Sequence, residues 1–167
     1  SQDDRVKLPL GLLWFGGPPN DAVLPRHGHG PAPQVVGGRL FIEGEDMLRA
    51  VDVYTGRLLW EKPLPGIGFY YRHTYRHPGA NEIGSNYVSL PDVVYVASPE
   101  MCYVLDPVTG ETLRTIELPG DGDSPSRWGV MRAWEDLLIA GAAPVEVDLK
   151  KPVPPKEKPL VKRNAQW

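Results

Sequence analysis

One stretch of this chain is written twice. Ala50-Val51-Asp52-Val53-Tyr54-Thr55-Gly56-Arg57-Leu58-Leu59-Trp60 returns in weaker form as Val104-Leu105-Asp106-Pro107-Val108-Thr109-Gly110-Glu111-Thr112-Leu113-Arg114, with Asp52 and Asp106, and likewise Gly56 and Gly110, 54 residues apart. Recurrence at this length points to repeated supersecondary units, none of which can bury its faces alone. Each copy reads as two short strands about a tight turn. Asp starts the turn, Thr-Gly supplies the bend and a positive φ, and β-forming residues lead in and out.

The rest of the composition agrees. Eighteen glycines and 19 prolines in 167 residues argue against a helical protein. A hydrophobic content of 41% suffices for a core, and a net charge of −3 disfavours nucleic acid as a partner of the whole chain. No apolar run reaches the roughly 18 residues of a membrane helix. The lone Cys102 rules out an intrachain disulfide. The chain opens Ser-Gln-Asp-Asp, polar and acidic, and reads as a mature or trimmed product without a leader.

Three regions are expected. Residues 1–33 form a lead-in, with a short buried strand over Leu10–Phe15 stopped by Gly16-Gly17-Pro18-Pro19, then a loop rich in Gly, Pro and His. Residues 34–144 carry the repeats. Strands are expected over Gln34–Val36, Arg39–Glu43, Met47–Val53 and Arg57–Leu64, then over Asn86–Leu90, Val93–Ala97, Cys102–Leu105 and Thr112–Leu118. A third unit opens with Trp128–Trp134 and Leu137–Ala140. Residues 145–167 form an extended tail in which prolines alternate with Lys150, Lys151, Lys156, Lys158, Lys162 and Arg163. It reads as a solvated arm or a basic docking tail.

A single four-stranded antiparallel meander leaves its faces exposed, and stacking such units radially covers them, which makes a β-propeller. In that arrangement Trp60 packs across a blade interface and Gly56 lets a neighbour's ring approach its backbone. The residues Ala50-x-Asp52-x-x-Thr55-Gly56-x-x-x-Trp60 resemble the tryptophan-docking repeat of the quinoprotein (PQQ-like) β-propellers. The copy at Asp106, Thr109 and Gly110 departs from it, with Val104 in place of Ala and Arg114 in place of Trp. The resemblance spans about residues 34–120, and more weakly 128–140. It implies four-stranded blades, and a family that includes oxidoreductases and non-enzymatic outer-membrane assembly lipoproteins. Two complete units with parts of others do not close a ring. The missing blades are expected from a longer chain, from partner chains, or from head-to-tail copies of this one.

Candidate chemistry gathers in two loops. His27 and His29 lie beside Arg26; His73 and His77 lie beside Arg72 and Arg76. Imidazoles in this number suit a transition metal or haem iron, and the arginines suit an anion such as a carboxylate or sugar acid. The same residues also serve to bond loop carbonyls and cap the ring. No Cys-x-x-Cys-His occurs, so covalent c-type haem is excluded. The resemblance further implies, for its enzymes, pyrroloquinoline quinone over a calcium ion held by Glu, Asn and a catalytic Asp. Many of those enzymes add a disulfide of adjacent cysteines, which Cys102 alone cannot form. Asn81, Glu82, Asn86 and Asp92 supply the residue types, without a spacing that selects a calcium site. Cys102, in an apolar run, reads as an inert core thiol.

The expectation is therefore an all-β, PQQ-like propeller segment of an extracytoplasmic, periplasmic bacterial protein. Its role is binding or scaffolding, with a protein partner and no membrane span. The rival is part of a quinone-, metal- or haem-dependent oxidoreductase.

Overall fold

The computed structural model describes residues 11–12, 14–17, 24, 30–68, 71, 84–98, 100–118 and 128–141. They contain ten strands and no α-helix. Strands β1 (Gln34–Val36), β2 (Arg39–Gly44), β3 (Met47–Asp52) and β4 (Leu58–Pro63) form one antiparallel sheet in sequence order. Strands β5 (Tyr87–Ser89), β6 (Val94–Ala97), β7 (Cys102–Leu105) and β8 (Thr112–Ile116) repeat that order in a second sheet. A hairpin of β9 (Met131–Trp134) and β10 (Leu137–Ala140) begins a third.

Turn chemistry fixes each meander. Gly37 and Gly38 close β1 onto β2 with φ of 57° and 74°, values that glycine adopts freely. At the next turn Asp46 takes a φ of 54°, a conformation that Asp tolerates better than most residues. It is tied from outside: its backbone oxygen accepts from Leu64 N and its Oδ1 from Gly66 N, both at 2.8 Å. The exit of β4 is thereby held against the β2–β3 turn. The β3–β4 register shifts at Ala50/Val51 and the β7–β8 register at Val104/Leu105, so a bulge recurs at the same place in the motif.

The core lies between sheets. Alternation places Phe41, Leu48, Ala50 and Trp60 of the first sheet on one side, facing Tyr87, Val94, Val96 and Leu105 of the second. The Phe41 and Trp60 rings meet at 5.9 Å between centroids. The other face of the second sheet gives Ala97 and Cys102 to a cluster with Trp128 and Met131, with Tyr95, Ile116 and Leu138 packed beside it. Each sheet thus covers its neighbour face to face, the packing of propeller blades. We call these blade 1, blade 2 and, for the β9–β10 hairpin, blade 3.

Two expectations change. The apolar run Leu10–Phe15 is not a buried strand in its described residues: no described strand pairs with it, Leu12 is 79% exposed and Phe15 94%. The segment is held instead through a side chain, Trp14, whose Nε1 donates to Val53 O at 2.9 Å. Strand β9 begins at Met131 rather than Trp128, because the ladder turns irregular before it: Gly141 N donates to Val130 O at 2.9 Å, but Gly141 O accepts from Gly129 N at 2.7 Å instead of from Val130.

Candidate functional site

The repeated motif builds the same small structure twice. Asp52 Oδ1 accepts from Tyr54 N, Thr55 N and Thr55 Oγ1 at 2.8–2.9 Å, and Gly56 N returns to Asp52 O at 2.8 Å. Asp106 Oδ1 accepts from Val108 N at 2.7 Å and Thr109 N at 2.8 Å, and Gly110 N returns to Asp106 O at 2.9 Å. Bonds from Thr55, hydroxyl first, hold the Asp52 carboxyl below its ordinary value. The Thr109 and then the Val108 amide do the same for Asp106.

Each turn presents a glycine to an indole. Gly110 has a φ of 74°, and a Cβ added there would lie 2.7 Å from two atoms of the Trp60 ring. Trp60 Nε1 donates to Pro107 O at 3.1 Å, so the ring is seated on the turn and fastened to it. Gly56, with a φ of 70°, is covered in the same way by Trp14. Trp14 Nε1 donates to Val53 O at 2.9 Å. Val53 and Pro107 hold equivalent places in the two turns. Trp14 lies outside the repeated motif, although Leu12-Leu13-Trp14 repeats Leu58-Leu59-Trp60 at a distance of 46 residues. That tripeptide was the available signal. Of the other motif residues, Ala50 is fully buried on the Trp60 face, opposite Trp60 in the β3–β4 ladder.

His27, His29, His73, His77, Arg26, Arg72 and Arg76 lie outside the described residues, as do Asn81 and Glu82. The described ends of their two loops do meet. A Cβ on Gly68 would stand 2.9 Å from Leu24 Cδ2, and Tyr71, buried, donates from its hydroxyl to Gly84 O at 2.7 Å. Beside this meeting point lies a buried polar cluster that was not expected. Asn86 Nδ2 donates to Glu43 Oε1 at 3.1 Å and to Ala97 O at 3.0 Å. The Gly68 amide also bonds the Glu43 carboxyl. Glu43 Oε2 and Asn86 Oδ1 are buried without a hydrogen-bond partner. Burial lifts the Glu43 carboxyl to about 8, against bonds from Asn86 and Gly68 that pull it down. Tyr87 follows: its hydroxyl donates to Ala32 O at 2.9 Å, and its phenol is pushed up by burial and by Glu43. The signal for Glu43 was in the strand alternation, which places it on the same face as Phe41.

Glu43, Asn86 and Asp92, as placed, do not form a calcium site. Among the described residues no three His, Cys, Asp or Glu side chains gather to hold a metal. Asn86 turns its nitrogen, not its oxygen, toward Glu43, and the bond to Ala97 O fixes that orientation. A cation shared by the two groups would require two oxygens facing it. Asp92 stays exposed in the β5–β6 turn. Cys102 is fully buried, and burial pushes its thiol up to about 12.

No protein-family model and no curated protein matches the chain. Solved structures do. Similarity to the quinohemoprotein alcohol dehydrogenase ADHIIG from Pseudomonas putida HK5 covers 79% of this chain and 19% of that one, at 18% identity and a TM-score of 0.53. BamB from Moraxella catarrhalis is similar over 67% of this chain and 29% of its own, at 13% identity and a TM-score of 0.43. A europium-containing methanol dehydrogenase is similar over 58% and 16%, at 18% identity and a TM-score of 0.38. The chain spans less than a third of the length of each. The likeness is one of fold: the sheets stack as β-propeller blades, and among the described residues they do not close a ring.

Proposed function

We propose that this chain is a non-catalytic binding or scaffolding segment of an extracytoplasmic, periplasmic bacterial β-propeller. Its ring is completed by further blades from a longer chain or from other copies. Its repeats serve as tryptophan-docking units that set blade spacing, and its contact surface is the loop face. One observation carries the reading. In the β9–β10 hairpin, Trp134, Leu137 and Ile139 are 67%, 58% and 54% exposed. Trp134 and Ile139 hold the places that Val36 and Phe41 hold in the first hairpin, counted from each closing pair. Val36 and Phe41 pack against the next blade. A face built to be covered in this way suits a partner blade.

Two measurements test it. Light scattering is expected to find the chain associated; a stable, well-folded monomer counts against completion by other copies. Addition of pyrroloquinoline quinone with calcium is expected to give no new absorbance band and no dye reduction. Turnover of an alcohol under those conditions would move the chain to the oxidoreductase class.

A further inference from the structure

The Glu43–Asn86 contact joins two blades by side chains that neither sheet's ladder requires. Glu43 sits on the last turnward stretch of β2, and Asn86 immediately precedes β5. Their bond crosses the interface beside the apolar cluster of Phe41, Leu48 and Tyr87, all fully buried. The pair holds two orphaned oxygens, Glu43 Oε2 and Asn86 Oδ1, and lacks a donor for either. Two buried acceptors with no donor are costly to leave in place. One proton on Glu43 Oε2 removes the charge and makes that oxygen a hydroxyl, which is cheaper to bury than a carboxylate.

We propose that Glu43 and Asn86 form a proton-dependent latch between blades 1 and 2, closed while the carboxyl carries its proton and weakened once it ionises. The surroundings allow little other response. Across β2–β3 the partner of Glu43 is Leu48, which is apolar. The next residue on β3, Arg49, is held by Glu61 at 2.8 Å. From blade 2 the facing groups are Asn86, Ala97 O and the Tyr87 phenol, which is itself kept neutral by burial. From the β4–β5 connection it is the Gly68 amide, with Leu24 above it. In the adjoining turn Asp46 receives Gly66 N, and Glu45 follows β2 directly. Among the described residues no cation acts on the carboxyl, and its N–H donors are Asn86 and Gly68. Loss of the proton to solvent leaves a charge between two packed sheets.

The sign follows from linkage. The folded protein keeps this proton to about pH 8, whereas the unfolded chain releases it near the ordinary value of 4.5. The stabilisation is full below 4.5, is lost as pH rises toward 8, and changes no further above that. The test compares the full chain with its Glu43→Gln variant, which keeps the shape and stays neutral. Urea unfolding is followed by circular dichroism from pH 5 to 9.5. The wild-type unfolding constant is expected to rise by up to tenfold per pH unit between 5 and 8 relative to the variant, because one proton is released per unfolding event. Parallel pH profiles for the two proteins overturn the latch. Should Glu43→Gln not fold, carboxyl 13C NMR of the wild type decides. One glutamate resonance titrating above pH 7 upholds the latch, and all of them titrating below pH 5.5 overturn it.

Discussion

Gly110 and Trp60 act as one unit. Alanine at 110 would bring its Cβ to 2.7 Å from the indole at a φ of 74°. Strained backbone and overpacking together make Gly110→Ala destabilising by about 2–4 kcal/mol, measurable by urea denaturation. Trp60→Ala empties the same slot and is expected to cost about 3–5 kcal/mol. Their double mutant should fall short of the sum, because the indole that clashes is gone. The turn carboxylates titrate in the opposite sense to Glu43. Asp52 and Asp106 are held low by Thr55 and Thr109 donors, so their contribution is present above the ordinary carboxylate value and disappears as pH falls through the folded one. Acid unfolding should shift to higher pH in Asp52→Ala and Asp106→Ala variants when followed by near-UV circular dichroism. Cys102, buried with its thiol pushed up to about 12, is expected to resist a thiol reagent in the native protein and react at once in urea.

Between elements, the bonds that cross from blade to blade are few and specific. The Gln34 amide gives Nε2 to Tyr87 O at 2.9 Å and takes Ser89 N on Oε1 at 2.7 Å, so one side chain bonds along β5 where no strand pairs. Gln34→Leu removes both bonds; Tyr87 O keeps the bond from Ser85 Oγ at 2.8 Å, but the Ser89 amide is left unmet, a loss of about 1–3 kcal/mol by thermal or urea unfolding. At the other end of the stack, β10 has no described strand on its outer side, and Ile139 and Leu137 stand out from it. Lysine at both positions is expected to abolish association in light scattering while the far-UV spectrum stays unchanged, since neither side chain is part of the core.

Over the molecule as a whole, the same packing step is taken repeatedly: Trp14 onto the turn at Gly56, Trp60 onto the turn at Gly110, and blade 2 onto the β9–β10 hairpin. Stability in such a stack is close to a sum of unit and interface terms. Breaking the Trp60 interface should therefore split the unfolding transition or broaden it, a difference that calorimetry reads directly.

Much of this fold was legible in the chain. The 54-residue repeat, the Thr-Gly turns and the period-2 alternation are local signals, and they marked nearly every strand within a residue or two. The seating of an indole on a glycine followed from the motif as well. The role of Trp14 did not, because the segment that carries it pairs with no described strand and its Leu-Leu-Trp echo is short. Nor did the Glu43–Asn86 contact. Nothing in either residue's neighbourhood announces the other across 43 positions; only the stacking of one sheet on the next brings them together. Local backbone preferences and hydrophobic alternation were written in the sequence, since they act over a few residues. Which polar groups end up facing each other in the dry space between blades was decided by tertiary packing, where burial, not sequence distance, sets the chemistry.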